Sequence, residues 1–157
     1  WYPLLADKQN HIFKLNSTFD QAFNLYCFDR ELRQVVLSQL EKIEVAIRAK
    51  MIYVLSHKHG AFWFDNSSLF ININKHAKAM LKMEEEFTRS DEEFIEAFKN
   101  KYNNPYPPSW MMMEITSFGT LSKFYENLKP GIEKREIAHY FGISDSVLTS
   151  CCIVLFT

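Results

Sequence analysis

Glycine is scarce, with four in 157 residues. That argues against phosphate-cradling loops and against an all-β fold built on tight turns. None of Gly60, Gly119, Gly131 or Gly142 opens a GxxxxGK[ST] stretch, and no GxGxxG is present. Cysteine is also sparse: Cys27, Cys151 and Cys152 form an odd set without a CxxC. This pattern predicts free thiols in a reducing cytoplasm, not a disulfide framework or a zinc site. No apolar run reaches the ~18–20 residues that span a bilayer, and no signal-peptide pattern is seen. The expected location is therefore cytoplasmic, with no membrane partner. Charge of one sign is lacking too. The 18 basic and 19 acidic residues leave a net charge of −1, which neither demands nor excludes a nucleic-acid partner.

What the chain does have is core material. Hydrophobic residues make up 47% and aromatics 15%, including 14 Phe. The length suits one domain over residues 1–157, since a split would leave two marginal cores. Residue 1 is Trp, and Trp1-Tyr2-Pro3-Leu4-Leu5 opens in mid-pattern, so the chain is expected to be a fragment.

Helix signals dominate. Thr18-Phe19-Asp20-Gln21 fits a capping box, and no Gly or Pro follows before Gly60. Leu32, Val36, Leu40, Ile43, Ile47 and Met51 recur at helical spacing. An unbroken helix of ~40 residues would be ~60 Å long, too long for a compact domain of this size, so a break is expected near Phe28-Asp29. Further helices are predicted over about 72–87, from a second capping box at Ser90–Glu93 to about 102, and over 110–115, 120–128 and 133–141. A last helix is predicted from a Ser144 cap. Asn103-Asn104-Pro105-Tyr106-Pro107-Pro108 is the strongest breaker. The best β-signal, Leu69-Phe70-Ile71, is too short to found a sheet. The fold class is all-α, a multi-helix bundle.

Arg33, Glu44 and Arg48 are the most interesting polar residues. Arg33 and Glu44 lie about three helical turns apart, and Glu44 and Arg48 form a favourable i,i+4 pair. They are either a helix-face salt bridge or a polar cluster lining a groove. His57, His59 and His76 lack the spacing and accompanying ligands of a metal site, so no metal or other cofactor is expected. Ser117, in Ser117-Phe118-Gly119, has no GxSxG frame and reads as a cap for the following helix. Arg135–His139 reads as a surface pair, Met111-Met112-Met113 as core filler and Cys151-Cys152 as apolar packing.

The order of segments resembles a known family. Tyr26-Cys27-Phe28-Asp29-Arg30-Glu31-Leu32-Arg33, followed by Glu41 to Arg48, is similar to the first signature of the Abi-like (abortive infection, AbiD/AbiF-type) phage-resistance proteins. Tyr53-Val54-Leu55-Ser56 and Gly60-Ala61-Phe62-Trp63-Phe64 resemble its next block. Pro107 to Glu114 with Ser117-Phe118-Gly119-Thr120-Leu121-Ser122-Lys123 resembles its most distinctive one. Ile137 to Gly142 and Val147-Leu148 continue the register, and Trp1-Tyr2-Pro3 fits the end of an upstream block.

The resemblance implies an all-helical protein related to the HEPN ribonucleases, acting on RNA in phage defence. In that superfamily an Arg-x4–6-His motif near the C-terminus is usually completed by dimerisation, which makes a homodimer and RNA the implied partners. The His serves as general acid/base and the Arg stabilises developing phosphorane charge. No Arg in this sequence has His at that spacing, since Arg135 and His139 enclose three residues. The chain is therefore expected to be truncated at both ends, to lack that C-terminal segment, and to carry no catalytic residue of its own. Arg33, Glu44 and Arg48 would line or brace the site, and Trp110, Glu114, Ser117 and Gly119 would shape the turn against it. Two further readings stay open: an RNA-binding module without catalysis, and a protein-interaction or regulatory domain using Phe62-Trp63-Phe64 and the Pro-rich loop.

Overall fold

The computed structural model describes residues 4–156. The blocks at Trp1-Tyr2-Pro3 and Thr157 lie outside the described residues. The described part is mostly helical, with α1 (Phe19–His59), α2 (Ile73–Arg89), α3 (Glu93–Lys101), α4 (Ser109–Ile115), α5 (Phe118–Asn127), α6 (Ile132–Tyr140) and α7 (Asp145–Phe156). A two-stranded antiparallel ribbon of β1 (Leu5–Asp7) and β2 (Ile12–Phe13) precedes them. The all-α expectation holds. Contacts divide the chain into two compact units, Trp1–Ile43 and Glu44–Thr157.

The first unit holds the ribbon and the first part of α1. The ribbon was not legible in the sequence. Its turn is tied by Asp7, whose carboxylate accepts from the backbone of Gln9 and Asn10 and from the Asn10 side chain. These bonds hold the Asp7 carboxyl below the usual carboxylate range. The Thr18 capping box forms as predicted: the Gln21 amide donates to Thr18 Oγ1 at 3.3 Å, and the Thr18 amide donates to Gln21 Oε1 at 3.1 Å. No break occurs near Phe28-Asp29, because nothing between Phe19 and His59 interrupts the backbone ladder. The helix runs through both compact units instead of packing in one, so its length requires no break. Gly60, at φ +85°, supplies the stop.

The second unit holds the main core. From α1, Ile47, Met51, Val54 and Leu55 turn inward at helical spacing. They meet Trp63 and Phe64 from a 3-10 turn, Met83 of α2, Met112 and Met113 of α4, Phe124 and Tyr125 of α5, and Leu148 and Cys152 of α7. Burial of Trp63 and Phe64 corrects their reading as a contact surface: of that triplet only Phe62 is exposed. Leu148 of α7 is likewise core. Ser90 terminates α2, and α3 starts later on Glu92 with no side-chain cap bond, so the second capping box does not form. Segments 69–72 and 127–129 pair like a short ladder. The Ile71 amide donates to Asn127 O at 2.8 Å and the Lys129 amide to Leu69 O at 2.9 Å. The Asn127 side chain extends it, accepting from the Asn72 amide at 3.0 Å and donating to Asn72 O at 2.8 Å. No helix among the described residues is long and apolar enough to cross a membrane.

Candidate functional site

Arg48 leaves α1 just beside the buried stripe, and its side chain is only 13% exposed. Its Nη2 donates to Glu44 Oε1 at 2.6 Å and to Thr116 O at 3.3 Å. Its Nη1 lies 3.8 Å from Glu114 Oε2. The guanidinium thus satisfies a carbonyl left over at the end of α4 and ties α1 to the α4–α5 junction. Its Nε is buried without a partner. Glu44, Arg48 and Glu114 are therefore brought together. Arg33 is placed in the first unit, exposed and paired with Asp29 one turn back. Trp110 stands exposed on α4, one turn before Glu114.

Ser117 caps α5 as the sequence predicts: its Oγ accepts from the Thr120 amide at 3.4 Å and donates to Thr120 Oγ1 at 3.1 Å. Glu86 of α2 completes this turn. It accepts from the Ser117 amide and from Thr120 Oγ1, both at 3.2 Å. A carboxylate at a helix N-terminus is favoured by the unsatisfied amides there. Sequence reasoning missed Glu86, because its partners are more than thirty residues away.

The same turn forms one wall of a cavity of about 280 Å³, lined by Ser117, Gly119, Thr120, the carboxylates Glu85 and Glu86, and the cations Lys82, Arg89 and Lys123. A neighbouring cavity of about 330 Å³ shares Lys82 and Lys123 and adds Lys75 and Lys78. On α2 the cations at 75, 78, 82 and 89 are spaced to share one face, and α5 contributes Lys123. Lys75 is neutralised by Glu126 at 2.9 Å. Lys78, Lys82 and Lys123 have no carboxylate in ion-pair range among the described residues. A net charge near zero hid this groove. The spacing along α2 was the signal that could have found it.

Other polar groups have local duties. Lys134 is buried and donates to Glu126 O and Leu128 O at the end of α5. Burial lowers its pKa from the usual lysine value. Cys152 is buried in the core, and its thiol is pushed up to about 11, so it is no nucleophile near neutral pH. His76 is buried, with Nε2 2.7 Å from Phe64 O and its ring stacked on Phe70.

The chain belongs to the Abi-like protein family, whose model matches residues 1–156. That makes it a protein of the abortive-infection, phage-resistance type. A search of curated proteins and a search of solved structures each find no significant match.

Proposed function

We propose that this chain acts on RNA in an abortive-infection response, and that its own contribution is to hold the RNA backbone. The supporting observation is the groove between α2 and α5. It joins the most distinctive family block, Ser117–Lys123, to a row of cations of which three lack carboxylate partners. Lysines so placed bind phosphates as point charges and release counterions on binding. Arg48, mostly buried, braces the Ser117 turn from beneath through Thr116 and Glu114 and does not itself reach the ligand. A HEPN-type relationship belongs to the same reading, but no residue here supplies its imidazole at the Arg-x4–6-His spacing. Binding without cleavage is therefore the activity assigned to these residues.

The test is fluorescence anisotropy of a labelled RNA over a salt series. Affinity is expected to fall steeply with salt, and Lys82→Ala and Lys123→Ala are each expected to reduce the logarithmic salt slope by about 1. No binding at low salt, or variants with the wild-type slope, would overturn the reading. RNA incubated with the purified chain in a chelator should stay intact, and metal-independent cleavage would refute the assignment of binding alone.

A further inference from the structure

A second surface of the Glu44–Thr157 unit has no part in that groove. Tyr53 of α1 and Tyr140 of α6 are 57% and 66% exposed, yet both rings are held. The Lys50 ammonium lies 5.1 Å from the centre of the Tyr53 ring and 4.9 Å from that of Tyr140. Lys50 is itself pinned by Glu136 at 3.7 Å. His57, one turn beyond Tyr53, lies with its ring centre 4.3 Å from the Tyr53 ring at a tilt of 43°. Its Nδ1 sits 2.7 Å from Tyr53 O, which fixes the imidazole. Phe141 meets Tyr140 edge-on at 5.1 Å.

Two exposed tyrosine rings are thus gathered around one ammonium, with the exposed His57 ring lying against Tyr53, and their open surfaces contribute little to the core. Of the α6 carboxylates, Glu136 is paired with Lys50, and Glu133 lies 3.8 Å from His59 Nε2. Lys58, next to His57, is exposed and has no carboxylate in ion-pair range among the described residues, so a second cation adjoins the rings. Flat rings in a cationic setting match unpaired bases, which stack on aromatic side chains while their phosphates seek positive charge.

We propose that Tyr53, His57 and Tyr140, organised by Lys50, form a stacking site for unpaired bases of single-stranded RNA. It rests on the RNA reading but uses residues outside the lysine groove. It gives the chain a preference for single strands that a row of lysines would not.

The test compares a short single-stranded RNA carrying 2-aminopurine with the same strand annealed to its complement. Wild type is expected to bind the single strand more tightly and to quench the probe base. Tyr53→Ala and Tyr140→Ala should each weaken single-strand binding about tenfold, with duplex binding and salt slope unchanged. Tyr53→Phe and Tyr140→Phe should restore both affinity and quenching, since the ring and not the hydroxyl does the stacking. Unaltered single-strand binding in the double alanine variant, while Lys82→Ala and Lys123→Ala still reduce the salt slope, would overturn the stacking site and leave the groove standing. So would equal losses on both RNAs. Failure of wild type to bind either RNA would instead overturn the RNA reading beneath it.

Discussion

Helix α1 belongs to both units and meets a different fate in each. Over residues 19–43 it carries Phe19, Phe23, Tyr26, Phe28, Leu32 and Val35 largely exposed, and Ala22 is its one buried residue. Over residues 44–59 the same helix buries Ile47, Met51, Val54 and Leu55 almost completely. The local signals are alike in the two stretches: no breakers, apolar residues at helical spacing, and an Arg paired one turn back with an acid. What differs is long-range packing. Helix propensity and i,i+4 pairs contribute tenths of a kcal/mol each, whereas a buried aromatic contributes several. Stability is therefore concentrated in the second unit.

The largest contrast should come from aromatic truncation. Trp63→Ala or Phe124→Ala is expected to cost about 3–5 kcal/mol in urea unfolding, against about 0.5 kcal/mol or less for Phe23→Ala. Comparable losses at both places would break the comparison. Trp63→Phe should be milder than its lost volume suggests, because the Trp63 Nε1 is buried without a partner. Hydrogen exchange sharpens the point within one helix: amides of 47–55 should outlast those of 25–40.

Ion pairs give the next contrast. Arg48→Met should cost about 1–3 kcal/mol, since it leaves Glu44 and Thr116 O without their charged donor. Arg33→Met, on an exposed pair, should cost no more than about 0.5 kcal/mol. Gly60→Ala should cost about 1 kcal/mol through its positive φ alone, because the space around it is open.

The smallest effect is with pH. Cys152 is held up to about 11 from 9.0 by burial, so the folded state keeps a proton that the unfolded state releases. Its stabilisation is complete below pH 9 and is lost between pH 9 and about 11. Melting temperature should fall across that window and fall less in Cys152→Ala. Thiol labelling at pH 8 should reach exposed Cys151 well before Cys152.

The sequence carried the secondary structure well where the rule is local. The Thr18 box, the Ser117 cap and the Gly60 stop are all decided by residues within four positions of one another. It failed where a tertiary partner decides. Ser90-Asp91-Glu92-Glu93 has the letters of a capping box, but Ser90 is taken as the end of α2. Phe62-Trp63-Phe64, between Ala61 and Asp65, is an aromatic triplet that could face either way, and only the surrounding helices put Trp63 and Phe64 inside. Among site residues, the Glu44–Arg48 pair was readable as an i,i+4 match. The junction with Glu114 and Thr116 was approached only through family resemblance, and Glu86 and the lysine row not at all. Those depend on α2 lying alongside α5, a fact no window of neighbouring residues contains.

The amide clasp of Asn127 on Asn72 has a mechanical consequence. It fastens the beginning of one cation-bearing helix to the end of the other, so the two cannot slide lengthwise past each other. The span between Lys82 and Lys123 is thereby held by backbone and amide bonds and not by the flexible lysines themselves. An Asn127→Asp exchange, which keeps the acceptor and deletes the donor, would loosen that fastening while leaving every positive charge where it is.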